Sequence, residues 1–400
     1  MIEIKDKKDC CGCHACASIC AHHAITMQAD AEGFLYPTVN KDACTDCGLC
    51  EQVCPVIHQS SPRQTLKVYA ARSYDEDLRR QSSSGGIFTL LAEAVIREGG
   101  VVFGAKFDEE WNVIHAWTEN IDGLADFRGS KYVQSAIGDT YREAKKFLQQ
   151  GRKVLFTGTP CQIAGLKRYL RKDYDNLLTA DVICHGVPSP LVWRKYLDEL
   201  RKAFCTECQT EKQVKNTAPG ILPEITAVSF RDKKLGWKNY EFSLRYVSAK
   251  GMEKVFRQPF IQNTYMKGFL SDLYLRPSCH QCPTKGLSTV SDITLGDYWG
   301  VEHKFPQWAD DKGTSAVIVH TPKGMAHVAA IDMEYIGAEY NDVCQYNPAL
   351  TRSFEMHRNR KPLFAHLDRF SIRRVEKLLR PTLWETINLK WYMIKLRFRT

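Results

Sequence analysis

The run Cys10-x2-Cys13-x2-Cys16-x3-Cys20 recurs 34 residues later as Cys44-x2-Cys47-x2-Cys50-x3-Cys54, and no other feature constrains this chain as strongly. A cubane iron–sulfur cluster takes three thiolates from one tight loop and a fourth from a distant position, and this spacing provides both twice. In two-cluster ferredoxins the fourth Cys of each run ligates the other cluster. Cys10, Cys13, Cys16 and Cys54 are therefore expected around one cubane, and Cys44, Cys47, Cys50 and Cys20 around the other. Zinc sites draw their ligands as pairs across a long spacer instead. Two departures accompany the pattern: Cys20 is followed by Ala21 where Cys54 is followed by Pro55, and His14 fills a loop position where a small residue is usual. Cys11 reads as a spare thiol.

The chain holds 16 Cys in 400 residues, and its start, Met1-Ile-Glu-Ile-Lys-Asp-Lys-Lys, lacks the apolar core and cleavage site of a secretory signal. No apolar run approaches the ~18 to 20 residues that span a bilayer. Disulfides are accordingly not expected, and a cytoplasmic location is. The net charge of +9 is no nucleic-acid signal, because residues 351–400 carry 13 Lys or Arg against four acids and so hold all of it. That basic tail, with Trp384, Trp391, Tyr392 and Phe398, reads as a terminal helical cap or as a contact surface for an anionic membrane face or acidic partner.

Three units are expected: a ferredoxin-like α+β two-cluster domain over 1–60, an α/β domain over 65–350 and the basic tail over 351–400. Within the second, Lys67 to Ser73, Val101 to Phe107, Val154 to Gly158 and Leu177 to Ile183 read as strands, with helices over Gly85 to Glu98, through Leu170 and through Leu200. Thr159-Pro160 supplies an N-cap and an N1 proline. Alternation over Ile225 to Phe230 and Tyr240 to Tyr246 marks an antiparallel excursion, so the sheet is mixed, with flanking helices.

Topology assembles a second thiol set. Cys161 opens the helix after strand 154–158 and Cys184 ends the next strand, so a parallel crossover places both at the carboxyl edge of one sheet, where such sheets bind ligands. The helix dipole there favours thiolate at Cys161. Cys279-x2-Cys282 offers two more ligands, and spacing alone leaves three readings open: a third cubane, buried unligated thiols, or a zinc site pairing Cys279-x2-Cys282 with Cys205-x2-Cys208.

Ser83-Ser84-Gly85-Gly86 lies where the chain enters a helix and reads as an anion cradle or a plain N-cap. Arg128-Gly-Ser-Lys131 adds cations in a Gly-containing loop, and Asp297-Tyr-Trp, an acid and two large aromatics between glycines, suits ribose hydroxyls and ring stacking or plain core packing. His185 is the base available beside Cys161 and Cys184.

Taken in order, Ser83-Ser-Gly-Gly86, Gly129-Ser-Lys131-Tyr132-Val-Gln-Ser135, Gly158-Thr-Pro-Cys161-Gln162, Cys184-His-Gly-Val-Pro188 and Cys279-x2-Cys282 with Asp292-Ile-Thr-Leu-Gly-Asp297 resemble the family of coenzyme F420 hydrogenase/dehydrogenase beta subunits over roughly residues 65–350. The resemblance implies an oxidoreductase that moves electrons between a ferredoxin-type carrier and a small organic hydride acceptor. It implies FAD in the α/β domain, held by Ser83, Ser84, Gly85, Gly86, Lys131, Thr157, Gly158, Thr159 and Asp297. It favours a third 4Fe-4S cluster on Cys161, Cys184, Cys279 and Cys282, and makes His185 and Lys131 the catalytic candidates. The rival is a non-catalytic electron-transfer subunit without flavin.

Overall fold

The computed structural model describes residues 1–210 and 222–380. Its centre is an eight-stranded mixed sheet. Val101–Phe107, Val154–Gly158, Leu177–Val182 and Ile293–Asp297 run parallel as neighbours in that order. Beyond Ile293–Asp297 the strands Ser315–Val319, Lys67–Arg72 and Glu334–Ala338 add antiparallel, and Val113–Thr118 closes the other edge. The Val154-Leu155-Phe156 run is fully buried, as a strand covered on both faces requires.

Each crossover is set locally. Thr159 and Gln162 form a capping box at the start of the Pro160–Leu170 helix, with Pro160 at its first position. On one face of the sheet the Ile87–Arg97 helix packs through Leu91 and Val95, together with Val328 of Pro322–Ala330. On the other, Thr140–Gln149 and Pro160–Leu170 share a core with Cys11, Cys13 and Ala15, so the N-terminal unit is continuous with the sheet's helical layer. That unit pairs its strands Ile25–Ala29 and Leu35–Val39 antiparallel.

The antiparallel excursion is a separate three-stranded sheet of Glu224–Asp232, Glu241–Val247 and Glu253–Pro259. It packs on the Pro190–Thr210 helix, which runs ten residues past the expected end at Leu200. Leu363, Leu367, Ile372 and Val375 fill the same core, so residues 360–375 of the expected tail are packed into the fold. Residues 381–400, with the tail's tryptophans, lie outside the described residues. No described helix is long and apolar enough to cross a membrane.

Candidate iron–sulfur and cofactor sites

The two N-terminal cysteine loops have the same backbone. Gly12 and His14 take positive φ (70° and 63°), and their counterparts Asp46 and Gly48 do the same (49° and 73°). His14 thus adopts the left-handed conformation that glycine supplies in the second loop, at the strain a non-glycine residue carries there. Each turn leads into a short helix, Ala15–Ile19 and Leu49–Gln52. Cys10, Cys13, Cys16 and Cys54 line one small enclosed cavity with Ile2, Met27 and Val56, the crosswise grouping expected from the spacing. In the other set the Ile2 amide donates to Cys50 Sγ (3.3 Å), and Cys47 is exposed. Among the described residues no three His, Cys, Asp or Glu side chains converge on a single metal ion. The chemistry of the first donor set, the thiols of Cys10, Cys13, Cys16 and Cys54 around one small cavity, fits a four-thiolate cluster.

The second thiol set converges as the crossover demands. Cys161, Cys184, Cys279 and Cys282 line one cavity, beside Lys285. Sulfur acceptors find donors there: the Val187 amide lies 3.4 Å from Cys279 Sγ, and the hydroxyls of Thr159 and Thr284 lie 3.3 and 3.1 Å from Cys161 and Cys282. Lys285 Nζ donates to the carbonyls of Cys184 and Ala349, tying the loops together. These donors fit thiolates that ligate a cluster. The expected depression at Cys161 does not appear. The Cys11 thiol and burial push it well above the ordinary value against the opposing pull of the Thr159 hydroxyl and Arg276, while burial lifts Cys184 to about 12. Burial that raises these thiols favours their protonated form while they are unligated, which argues against Cys161 as an activated nucleophile. Cys205 stands on the Pro190–Thr210 helix and lines neither cysteine cavity. The Cys208 side chain lies outside the described residues, so the zinc pairing has no described geometry.

Cys11 is not idle space filler. It lines both cysteine cavities, and its thiol is within hydrogen-bonding reach of Cys13 and Cys161.

Next to the second cysteine cavity is a much larger one of about 650 Å³. Residues Asp181 to Val187 wall both. The cavity brings together Ser83, Ser84 and Gly86, the Arg128–Lys131 loop, Thr157, Gly158, Thr159, His185 and Asp297. Ser83 Oγ accepts from the Ser130 amide and hydroxyl (2.7 and 2.9 Å), which ties the two expected cradle loops. Gly85 is placed elsewhere. Its amide donates to Ser315 Oγ (2.9 Å), and a Cβ there would sit 2.4 Å from the Ala71 carbonyl, so this glycine serves contact with the sheet rather than the cavity.

Lys131 Nζ donates to the Arg128 and Gly129 carbonyls (3.1 and 3.3 Å) without an ion pair among the described residues, and burial lowers it to about 7. His185 is held by Asp272 Oδ1 (2.7 Å) and stacks on Phe354 (4.3 Å between centroids). Asp297 is already engaged, accepting from Arg231 Nη1 (2.9 Å) and Trp237 Nε1 (2.8 Å). Trp299, two residues after Asp297 in the glycine-flanked run, lines the cavity as well, and Arg231 and Tyr240 line it without a sequence motif. The pairing of Glu224–Asp232 with its neighbour shifts register between Ser229 and Asp232, and a bulge of this kind re-aims side chains. Arg231 sits in it, buried, with its guanidinium 4.1 Å from the Tyr240 ring. Trp237 stacks on Trp299 (4.5 Å, 10°).

Residues 9–57 match the 4Fe-4S dicluster domain, 68–140 the N-terminal part of the coenzyme F420 hydrogenase/dehydrogenase beta subunit, and 151–342 its C terminus. One of the F(420)H(2) dehydrogenase subunits of Methanosarcina mazei is 22% identical over 302 residues, 72% of this chain and 75% of that protein. The coenzyme F420-dependent sulfite reductase of Methanocaldococcus jannaschii is 26% identical over 212 residues, 51% of this chain and 32% of that protein. A chain of the F420-reducing NiFe hydrogenase complex from Methanosarcina barkeri aligns with a TM-score of 0.44 at 17% identity, covering 72% of this chain and 91% of that one. With both halves of the family pattern and the two-cluster cysteine loops in order, this chain belongs to the family of coenzyme F420 hydrogenase/dehydrogenase beta subunits and carries a 4Fe-4S dicluster domain at its N-terminus.

Proposed function

We propose that the protein is a flavin-dependent oxidoreductase that passes electrons between a carrier such as ferredoxin and a small organic hydride acceptor. Its path runs through the N-terminal clusters, a third 4Fe-4S cluster on Cys161, Cys184, Cys279 and Cys282, and FAD in the large cavity. The single observation that carries this reading is the shared wall: Cys184 and His185 line both the second cysteine cavity and the 650 Å³ cavity. FAD, when bound, would convert the one-electron traffic of clusters into hydride transfer. F420 appears in the names of both curated relatives, which makes a deazaflavin of that kind the first acceptor to test.

The chain's own residues have distinct parts in this scheme. Ser83 offers a hydroxyl and Ser84 and Gly86 offer backbone at a helix entrance, and Arg128 and Lys131 offer cations, so a diphosphate would be bound and oriented there. Lys131, near neutral, and His185, oriented by Asp272, can each hold or release a proton at the cavity wall. Gly158 and Thr159 lie at the strand end over which a ring would sit. The name of the Methanosarcina mazei relative, one component of a dehydrogenase, supports work alongside partner proteins.

Anaerobic purification with reconstitution tests the reading. Release of FAD on denaturation and about twelve irons per chain are expected for three cubanes. Full iron without flavin would leave the rival, an electron-transfer subunit that does no hydride chemistry, and about eight irons would remove the third cluster.

A further inference from the structure

Arg276 is fully buried, yet it has no carboxylate partner among the described residues. Glu32 of the N-terminal unit is committed to Arg360 (2.6 Å). A buried guanidinium without an anion is costly, and structures that keep one supply the negative charge in another form. Its donors go to the first cysteine loop and its surroundings: Nε to the Cys10 carbonyl (2.7 Å), Nη2 to the Leu35 carbonyl (2.9 Å) and to Cys10 Sγ (3.5 Å), and Nη1 to Gln134 Oε1 (2.9 Å). The plane lies over the Tyr36 ring at 4.2 Å. Gln134 completes the clamp by donating to the Cys11 carbonyl (3.1 Å). Gly12 lets it close, since a Cβ there would stand 2.8 Å from Arg276 Nη1 and 2.8 Å from Gln134 Nε2. At its other end the Arg276 carbonyl accepts from the Cys279 amide (2.9 Å), so one residue braces both cysteine cavities.

We propose that Arg276 is the built-in counter-ion of the cluster held by Cys10, Cys13, Cys16 and Cys54, and that it raises that cluster's reduction potential. The missing anion is the cluster itself. Four thiolates give a cluster net negative charge, which grows by one on reduction, and a fixed cation hydrogen-bonded to a ligating sulfur favours the reduced form. Among the described residues no guanidinium or ammonium is hydrogen-bonded to the Cys44 set: its Cys47 is exposed, and the nearby N-terminal amine is spent on Asp46 and Glu51 (2.9 and 3.2 Å). Arg276 thus biases an electron toward the cluster next to Cys11 and Cys161, at the junction with the interior. It acts through the ligand, as a positioning residue.

A redox titration of the reconstituted full chain, followed by electron paramagnetic resonance, tests this. In Arg276→Gln one one-electron step should fall by at least tenfold in its equilibrium, about 59 mV, with the other steps unmoved. Arg276→Lys, which keeps the charge, should recover most of the shift. Unchanged midpoints in a fully iron-loaded Arg276→Gln protein overturn the proposal, as does an equal shift in Arg276→Lys, which would report packing and not charge. Should Arg276→Gln lose the cluster, the decision passes to ¹⁵N-arginine-labelled protein carrying Arg142→Lys, which silences the guanidinium that donates to the Ala17 and Ser18 carbonyls. Nitrogen hyperfine coupling to a reduced cluster then supports the proposal, and its absence overturns it.

Discussion

Gly165 lies in the Pro160–Leu170 helix one turn beyond Cys161, and the N-terminal unit rests directly on it. A Cβ at this position would stand 2.8 Å from Cys13 Cβ, 2.9 Å from Cys13 Sγ and 2.9 Å from the Tyr141 hydroxyl. Neither neighbour can retreat cheaply. Cys13 is fixed by its loop and by the cavity it lines, and the Tyr141 hydroxyl donates to the Gln162 carbonyl at 2.6 Å. The φ here is ordinary helical, so Gly165→Ala tests packing without backbone strain. In an open helix the change would stabilise by about 0.8–1.0 kcal/mol through propensity. Inserting a methyl into a closed contact costs about 1–3 kcal/mol, so the net expectation is destabilisation of up to about 2 kcal/mol. Thermal unfolding of the reconstituted variant should fall by a few degrees, on the scale of about 2–4 °C per kcal/mol for a domain of 150–250 residues. Iron should also be lost faster to a chelator, because the displaced side chain is Cys13. A melting temperature above wild type with iron retained would show propensity acting alone and refute the close contact between the cluster loop and this helix.

Cys161→Ser, Cys184→Ser and Cys282→Ser should each remove the same cluster, about four irons per chain, whereas Cys205→Ser should remove none; iron counts and magnetic resonance spectra decide this. Lys131→Met should stabilise the cofactor-free chain, most below pH 7, where the half-buried, desolvated ammonium is still charged. The advantage should fade as pH rises from about 7 toward the unfolded value near 10.5, because the unfolded lysine alone then binds the proton. A pH-independent difference in melting temperature would show that Lys131 is not held down by burial. Arg360→Leu strips Glu32 of a bidentate partner (2.9 and 2.6 Å) and the Leu275 carbonyl of a donor (3.0 Å). Loss of a buried partner costs about 3–5 kcal/mol, and the lower end is expected since Glu32 keeps some solvent contact. Denaturant midpoints should show the loss, and Glu32→Gln in the same chain should recover part of it.

Local spacing by itself determined the chemistry of the N-terminal unit. Ligands within one loop depend on a few dihedrals, so x2, x2, x3 spacing encodes their convergence before any tertiary contact forms, and the crosswise grouping with Cys54 followed from the repeat. Strand and helix order was legible for the same reason, through burial periodicity and the Thr159-Pro160 cap. A rule of parallel connection then carried Cys161 and Cys184 to one sheet edge. What the tertiary structure decided is which way side chains point and what they meet at long range. Gly85 sits in the expected loop but faces Ala71 across 14 positions of sequence, and Asp297 is spent on Arg231, from a sheet that announced itself only as alternation, and on Trp237 in the turn that follows. A register shift aims Arg231, and no pattern of residue types marks a bulge. Cys161 rises instead of falling because the Cys11 thiol, 150 residues away in sequence, is packed beside it. Arg276 reaches Cys10 across 266 residues. Contacts of that range are fixed by how whole layers pack, since each depends on the summed burial of many side chains and not on the residues that finally touch.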